Sequence, residues 1–195
     1  YMSLNYGGME VFLADTTGKV NLLSGSQPQL DGLKLSENGK KAAYLDTDAN
    51  TGDTILVEIE LGKEKAETVA TNVQSFGYIG NTLIYYFDYT EGVGTLGAAG
   101  SKTTIANASG VQFTEDAVYY VADADAATGN GELRAWDGKT ETAIAKDVFA
   151  FQYKENGKLV YIGKYDVNAG VGDLYYYDGK EARKLDTGIT AIFIY

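Results

Sequence analysis

The pattern of apolar and polar positions is clearest over residues 159–189. Leu159, Val160, Tyr161 and Ile162 form a continuous apolar run, as expected of a strand buried on both faces. Asp166, Asn168, Gly170, Gly172 and Asp173 follow, the composition of a solvent-exposed hairpin. Leu174 to Tyr177 is a second β-prone run, rich in aromatics. Asp178-Gly179 supplies a tight turn, because both residue types tolerate positive φ. Lys180 to Leu185 returns as a polar strand suited to an outer edge.

The same order recurs upstream with drift. One unit reads Leu33–Leu35, Lys41–Leu45, the acidic hairpin Asp46 to Asp53, Thr54–Leu61 and Ala66–Val73. The next reads Phe76–Ile79, Leu83–Tyr89, Thr95–Ala99 and Thr103–Ala106, its third strand diluted by Gly97 and Gly100. Another reads Val111–Phe113, Ala117–Ala122, Glu132–Trp136 and Thr142–Ala145. The first-strand anchors are Leu35, Tyr78, Phe113, Tyr153 and Ile194, spaced by 43, 35, 40 and 41 residues. A period of about 40 residues with four strands each is that of propeller blades.

The two ends complement each other. The N-terminal residues supply later strands without a first, and Thr190 to Tyr195 is a first strand with nothing after it. The pattern therefore predicts an all-β, five-bladed β-propeller in one domain, closed by the C-terminal strand pairing with the N-terminal blade. Blade 1 is 190–195 plus 1–30, blade 2 is 31–73, blade 3 is 74–109, blade 4 is 110–148 and blade 5 is 149–189. The alternative is a fragment of a larger propeller, or an open twisted array.

Composition agrees with many short strands. There are 24 Gly, 16 Tyr, 7 Phe and a single Pro. No window shows a convincing 3.6-residue period, which predicts little helix. The net charge of −11, from 16 basic and 27 acidic residues, argues against nucleic acid and against docking on anionic lipid. With no Cys and no His, disulfides, thiolate nucleophiles, histidine bases and His/Cys metal sites are excluded. No apolar run is long enough to span a membrane, so this segment is expected to make no direct membrane contact.

The run Leu174-Tyr-Tyr-Tyr-Asp-Gly-Lys-Glu181, after Leu159-Val160-Tyr161, resembles propeller-like repeats in uncharacterised envelope proteins of Gram-positive bacteria. The resemblance rests on repeat rhythm over nearly the whole chain. It implies an extracytoplasmic domain, secreted or at the cell surface, and assigns no functional residue. Trp136-Asp137 matches the dipeptide of WD-repeat propellers, but no other unit repeats it and the histidine of those repeats is absent.

Three groups of residues are candidates for chemistry. Asp46, Asp48, Asn50 and Asp53 place oxygen ligands on a hairpin with a nearby glycine, a weak Ca²⁺ pattern. Asp123 and Asp125, and Asp166, Asn168 and Asp173, are poorer versions; all three also read as ordinary polar hairpins, and no other cofactor is indicated. Gln112 and Gln152 hold matching inner-strand positions and are candidates to line a central channel around a small polar ligand or water. Paired tyrosines such as Tyr85-Tyr86 and Tyr119-Tyr120 read as packing between blades, or as stacking platforms.

Glycoside hydrolysis needs two facing carboxyls about 5–10 Å apart. The inner strands carry no acid, and Glu37, Glu115 and Glu155 sit in turn signatures. The sequence therefore points to a monomeric, non-enzymatic binding module with a protein or envelope-glycan partner. A lectin-like carbohydrate-binding propeller is the alternative, and a glycoside-active enzyme a more distant one.

Overall fold

A computed structural model describes residues 2–5, 8–14, 20–22, 29–63 and 66–193, with side chains described from residue 32 onward. The single proline, Pro28, and the Ile194 anchor lie outside the described residues. Every helix-or-strand element among the described residues is a strand, so the all-β expectation holds. They are β1 (Met2–Asn5), β2 (Gly8–Ala14), β3 (Val20–Leu22), β4 (Gln29–Leu35), β5 (Lys41–Thr47), β6 (Thr54–Glu60), β7 (Ala66–Thr71), β8 (Val73–Ile79) and β9 (Thr82–Thr90). There follow β10 (Val93–Ala98), β11 (Thr104–Phe113), β12 (Val118–Ala122), β13 (Gly131–Trp136), β14 (Glu141–Glu155), β15 (Lys158–Asp166), β16 (Val171–Tyr177) and β17 (Ala182–Ile189).

The closed five-bladed ring is overturned. The strands form open antiparallel sheets: β4 to β7 make a four-stranded sheet, β8 to β17 a ten-stranded one, and β1 to β3 a separate three-stranded one. Two physical reasons account for the difference. Residues 141–155 contain neither Gly nor Pro, so β14 runs unbroken, its first half paired with β13 and its second with β15. The expected boundary 148/149 thus falls inside β14, and 109/110 falls inside β11, where Gly110 takes positive φ without ending the strand. Among the described residues, β17 at the C-terminal edge pairs with β16 alone, and Thr190 to Phe193 form no strand. Phe193 is 79% exposed, and β17 is exposed along nearly its whole length, as its polar sequence requires of an edge.

A recurring device sets the register. Asn72, Asn107 and Asp147 adopt positive φ immediately before the buried Val73, Ala108 and Val148, and Gly188 does so before Ile189. Partners on the next strand, Asp88, Asp123 and Lys164, are left-handed too. Asn72 Nδ2 donates to Asp88 Oδ1 at 3.3 Å, and Asn107 Nδ2 to Asp123 Oδ1 at the same distance. The ladders shift register beside these pairs, so each is a bulge that turns the strand without a loop. Asn and Asp serve because their short polar side chains tolerate the left-handed region best after glycine.

The chain divides into two compact units, Tyr1–Tyr89 with Gly97–Thr103, and Thr90–Leu96 with Thr104–Tyr195. In the first, β5 and β6 are buried on both faces. Ala42, Tyr44, Val57 and Ile59 enter one cluster, while Ala43 and Leu56 join Val73, Phe76 and Leu83 in another. The two-residue period of a strand explains that division. In the second, Tyr119, Val121, Leu133, Val148, Phe151, Leu159 and Tyr161 form the core.

Tyrosines on these strands recur with a carboxylate and a cation. Tyr120 is fully buried, and its hydroxyl donates to Glu141 Oε1 at 2.5 Å. Arg134 Nη1 donates to the same oxygen at 2.6 Å, and its Nε to Glu132 Oε2 at 2.7 Å. Tyr78, Glu58 and Lys41 repeat the arrangement, with both partners 2.8 Å from the glutamate. Burial, then the hydrogen bond to Glu141, push the Tyr120 hydroxyl far above the ordinary phenol range. These tyrosines are structural donors.

Candidate functional site

The acidic hairpins share one six-residue loop: Asp48 to Asp53, Asp125 to Asn130 and Asp166 to Val171. In each, the first aspartate accepts two backbone N–H groups through Oδ1. Asn50 and Thr51 donate to Asp48 at 2.8 and 3.2 Å, Ala127 and Thr128 to Asp125 at 3.0 and 2.9 Å, and Asn168 and Ala169 to Asp166 at 2.9 and 3.2 Å. The fifth residue is glycine at φ 79°, 72° and 69°. The loop's own geometry therefore explains both residue types. The amides of Asn50 and Thr51 hold the Asp48 carboxyl below its usual range.

Of the four candidate Ca²⁺ ligands, Asp46 is 3% exposed and its Oδ1 accepts the Thr47 N–H at 2.8 Å. Asp53 closes the loop through its backbone: its carbonyl accepts the Asp48 N–H, and its N–H donates to Thr51 Oγ1. Asn50 contributes its backbone N–H to Asp48. Among the described residues, no three acidic side chains are grouped to hold a metal ion.

Gln112 is bound into the ladder. Its Nε2 donates to the Phe151 carbonyl at 3.0 Å, and its Oε1 accepts the Tyr153 N–H at 3.0 Å. The amide thus imitates a strand segment and staples β11 to β14. Gln152 is half-buried, opposite Val160 in the β14–β15 ladder. Replacing Gln112 with alanine strands two backbone groups, and is expected to cost about 1–3 kcal/mol. Urea denaturation checks this, with Gln152→Ala as the comparison expected to change stability less.

In the second unit, the turn after β11 and the turn between β14 and β15 form a cleft of about 330 Å³. Its walls are Phe113 and Tyr153, and its rim carries Glu115, Asp116, Glu155 and Lys154. Thr114 shapes the first turn: its Oγ1 donates to the Ala117 carbonyl at 2.8 Å and accepts the Ala117 N–H at 3.2 Å. Tyr153 rests against Tyr119, ring centroids 5.0 Å apart, and its hydroxyl accepts the Gly157 N–H at 3.3 Å. Two half-buried rings beside three solvent-exposed carboxylates suit a ligand with apolar length and a cationic or hydroxylated end.

In the sequence, Glu115 and Glu155 lie in turn signatures. The available signal was their equivalence: they lie 40 residues apart, each two residues after its anchor, Phe113 or Tyr153. A smaller cleft of about 250 Å³ is lined by Tyr176, Asp178, Glu181 and Arg183. The Arg183 guanidinium lies 5.2 Å from the centre of the Tyr176 ring.

No family model matches the sequence, and no curated protein is significantly similar to it. Solved structures are similar in fold. The β-propeller domain of the Trilobed protease from Pyrococcus furiosus, described as having an open velcro topology, matches with a TM-score of 0.53 at 14% identity. That match covers 94% of this chain and 66% of the other. The fold is β-propeller-like. An acylaminoacyl peptidase in complex with a chloromethyl ketone matches with a TM-score of 0.51 at 13% identity, over 94% of this chain and 39% of the peptidase. The Pyrococcus horikoshii acylaminoacyl peptidase gives 0.50 at 14%, over 91% and 34%. This protein thus spans about a third to two fifths of the peptidases' length and just under two thirds of the propeller domain's. At such identities the likeness concerns fold alone.

Proposed function

We propose that the protein is a non-enzymatic binding module, the extracytoplasmic domain of a bacterial envelope protein, that acts as a monomer and takes a basic segment of a partner protein in the cleft between the turns at Thr114 and Asn156. The observation that carries this reading is the cleft itself, lined by Phe113 and Tyr153 together with Glu115, Asp116 and Glu155. A lysine or arginine side chain matches it, with its aliphatic stem on the rings and its cation among the carboxylates. The charge of −11 favours a basic partner and speeds its encounter. The propeller-like fold supports a binding role, and the resemblance to Gram-positive envelope repeats supports the location. The absence of His and Cys removes the commonest catalytic bases and nucleophiles.

Calorimetric titration with a Lys/Arg-rich peptide tests the reading. Binding is expected to weaken several-fold in Glu155→Gln and in Glu115→Gln, and to weaken with added salt. Equal binding by both variants and the parent would refute the cleft as the site. An envelope glycan is a second ligand class, favoured by the aromatic wall beside carboxylates. A glycan array of the folded protein, with Tyr153→Ala alongside, separates the two.

A further inference from the structure

The sequence holds three Asn-Gly dipeptides, Asn38-Gly39, Asn130-Gly131 and Asn156-Gly157. Asn-Gly is prone to self-catalysed deamidation because glycine has no Cβ to shield its backbone nitrogen. The glycine nitrogen attacks Asn Cγ and forms a new bond to it. The bond from Cγ to Nδ2 breaks, and ammonia leaves with the proton the glycine nitrogen gives up. Water then opens the succinimide to aspartate or isoaspartate. The reaction requires an asparagine free to turn onto the next amide.

Two of the three asparagines are held. Asn38 Oδ1 accepts the Ser36 hydroxyl at 3.0 Å and the Lys40 N–H at 2.9 Å, while the Gly39 N–H donates to the Ser36 carbonyl at 2.8 Å. Asn130 clasps the backbone of Tyr165, donating to its carbonyl at 2.9 Å and accepting its N–H at 3.3 Å. Gly131 is moreover enclosed, with the Ala122 carbonyl oxygen in overlap with the place where a Cβ would stand. Asn156 differs on each count. It is exposed, and its side chain makes no hydrogen bond among the described residues. Among the described residues, the Gly157 N–H has only the long 3.3 Å bond to the Tyr153 hydroxyl.

We infer that Asn156 is a self-modification site of the folded protein, and that Asn38 and Asn130 are protected by their side-chain hydrogen bonds. The product adds a carboxylate to the rim that already holds Glu115, Asp116 and Glu155. If the cleft reading holds, it strengthens the attraction for a cation there; that consequence rests on the proposed function, whereas the selectivity among the three sites does not.

Folded protein and protein in concentrated urea are incubated side by side in warm, mildly alkaline buffer and analysed by peptide mapping. In urea the three sites are expected to convert at similar rates. In the folded protein Asn156 is expected to convert, and Asn38 and Asn130 to lag by roughly tenfold or more, the cost of breaking two ordinary hydrogen bonds. Conversion of Asn38 or Asn130 as fast as Asn156 in the folded protein overturns the inference. So does an intact Asn156 in folded protein when the urea sample has converted. Separately, Asn156→Asp is expected to bind the basic peptide more tightly; unchanged binding there counts against the cleft reading and leaves the site selectivity standing.

Discussion

Alanine at Gly131 is expected to destabilise the protein by about 3 kcal/mol or more. The new Cβ would overlap the Ala122 carbonyl oxygen and lie 2.6 Å from Val121 Cγ1. The valine can rotate, but the carbonyl belongs to β12, whose five residues are all buried. Relief therefore requires the β12–β13 ladder to part where Ala122 faces Glu132. Gly131 has no positive φ, so close approach alone drives the effect. Gly172 is the equivalent residue one repeat later, with Ile162 Cγ2 at 2.5 Å and the Gly163 carbonyl at 2.9 Å. Gly172→Ala is expected to cost less, since its nearest obstacle is a side chain. Thermal unfolding of Gly131→Ala is expected to shift down by about 6–12 °C for a protein of this size. A loss under about 1 kcal/mol would mean that β12 and β13 are not held this closely.

Leu133→Ala is expected to cost about 2–5 kcal/mol. Leu133 is fully buried in the cluster with Tyr119, Val121, Val148, Phe151, Leu159 and Tyr161. Truncation removes apolar burial and leaves a cavity whose walls come from several different strands, which limits collapse. Leu185, half-exposed on the edge strand β17, is the control. Leu185→Ala is expected to stay within about 0.5 kcal/mol. Urea unfolding of the pair checks the contrast, and similar losses would mean that the core is misplaced.

Strand identity was legible in the sequence because it follows from local pattern. The run Leu159 to Ile162 is β15, with Leu159, Tyr161 and Ile162 buried as a two-faced strand requires. The polarity of residues 182–185 marked the edge that β17 forms. What the sequence did not disclose depends on partners far apart in the chain. The partners of the Gln112 amide, Phe151 and Tyr153, lie about 40 positions away in the chain. The aspartates of the hairpins fit two readings in the sequence, because Oδ1 capping of a loop and ligation of a cation need the same residues. The N- and C-terminal segments are complementary in strand pattern, which suggests ring closure. Propensity alone cannot decide whether such strands pair, and β17 ends the ladder instead. Asn72, Asn107 and Asp147 each precede a small apolar residue at the repeat period, a signal available in the sequence and absent from the reading of strands alone.

The open ladder is most directly tested by amide hydrogen exchange across residues 158–193. Amides of β15, flanked by β14 and β16, are expected to be strongly protected, those of β17 to be intermediate, and those of Thr190 to Phe193 to exchange at the rate of unstructured peptide. Protection of Thr190 to Phe193 comparable to that of β15 would contradict the open edge and mean that the terminal segment is paired as a strand.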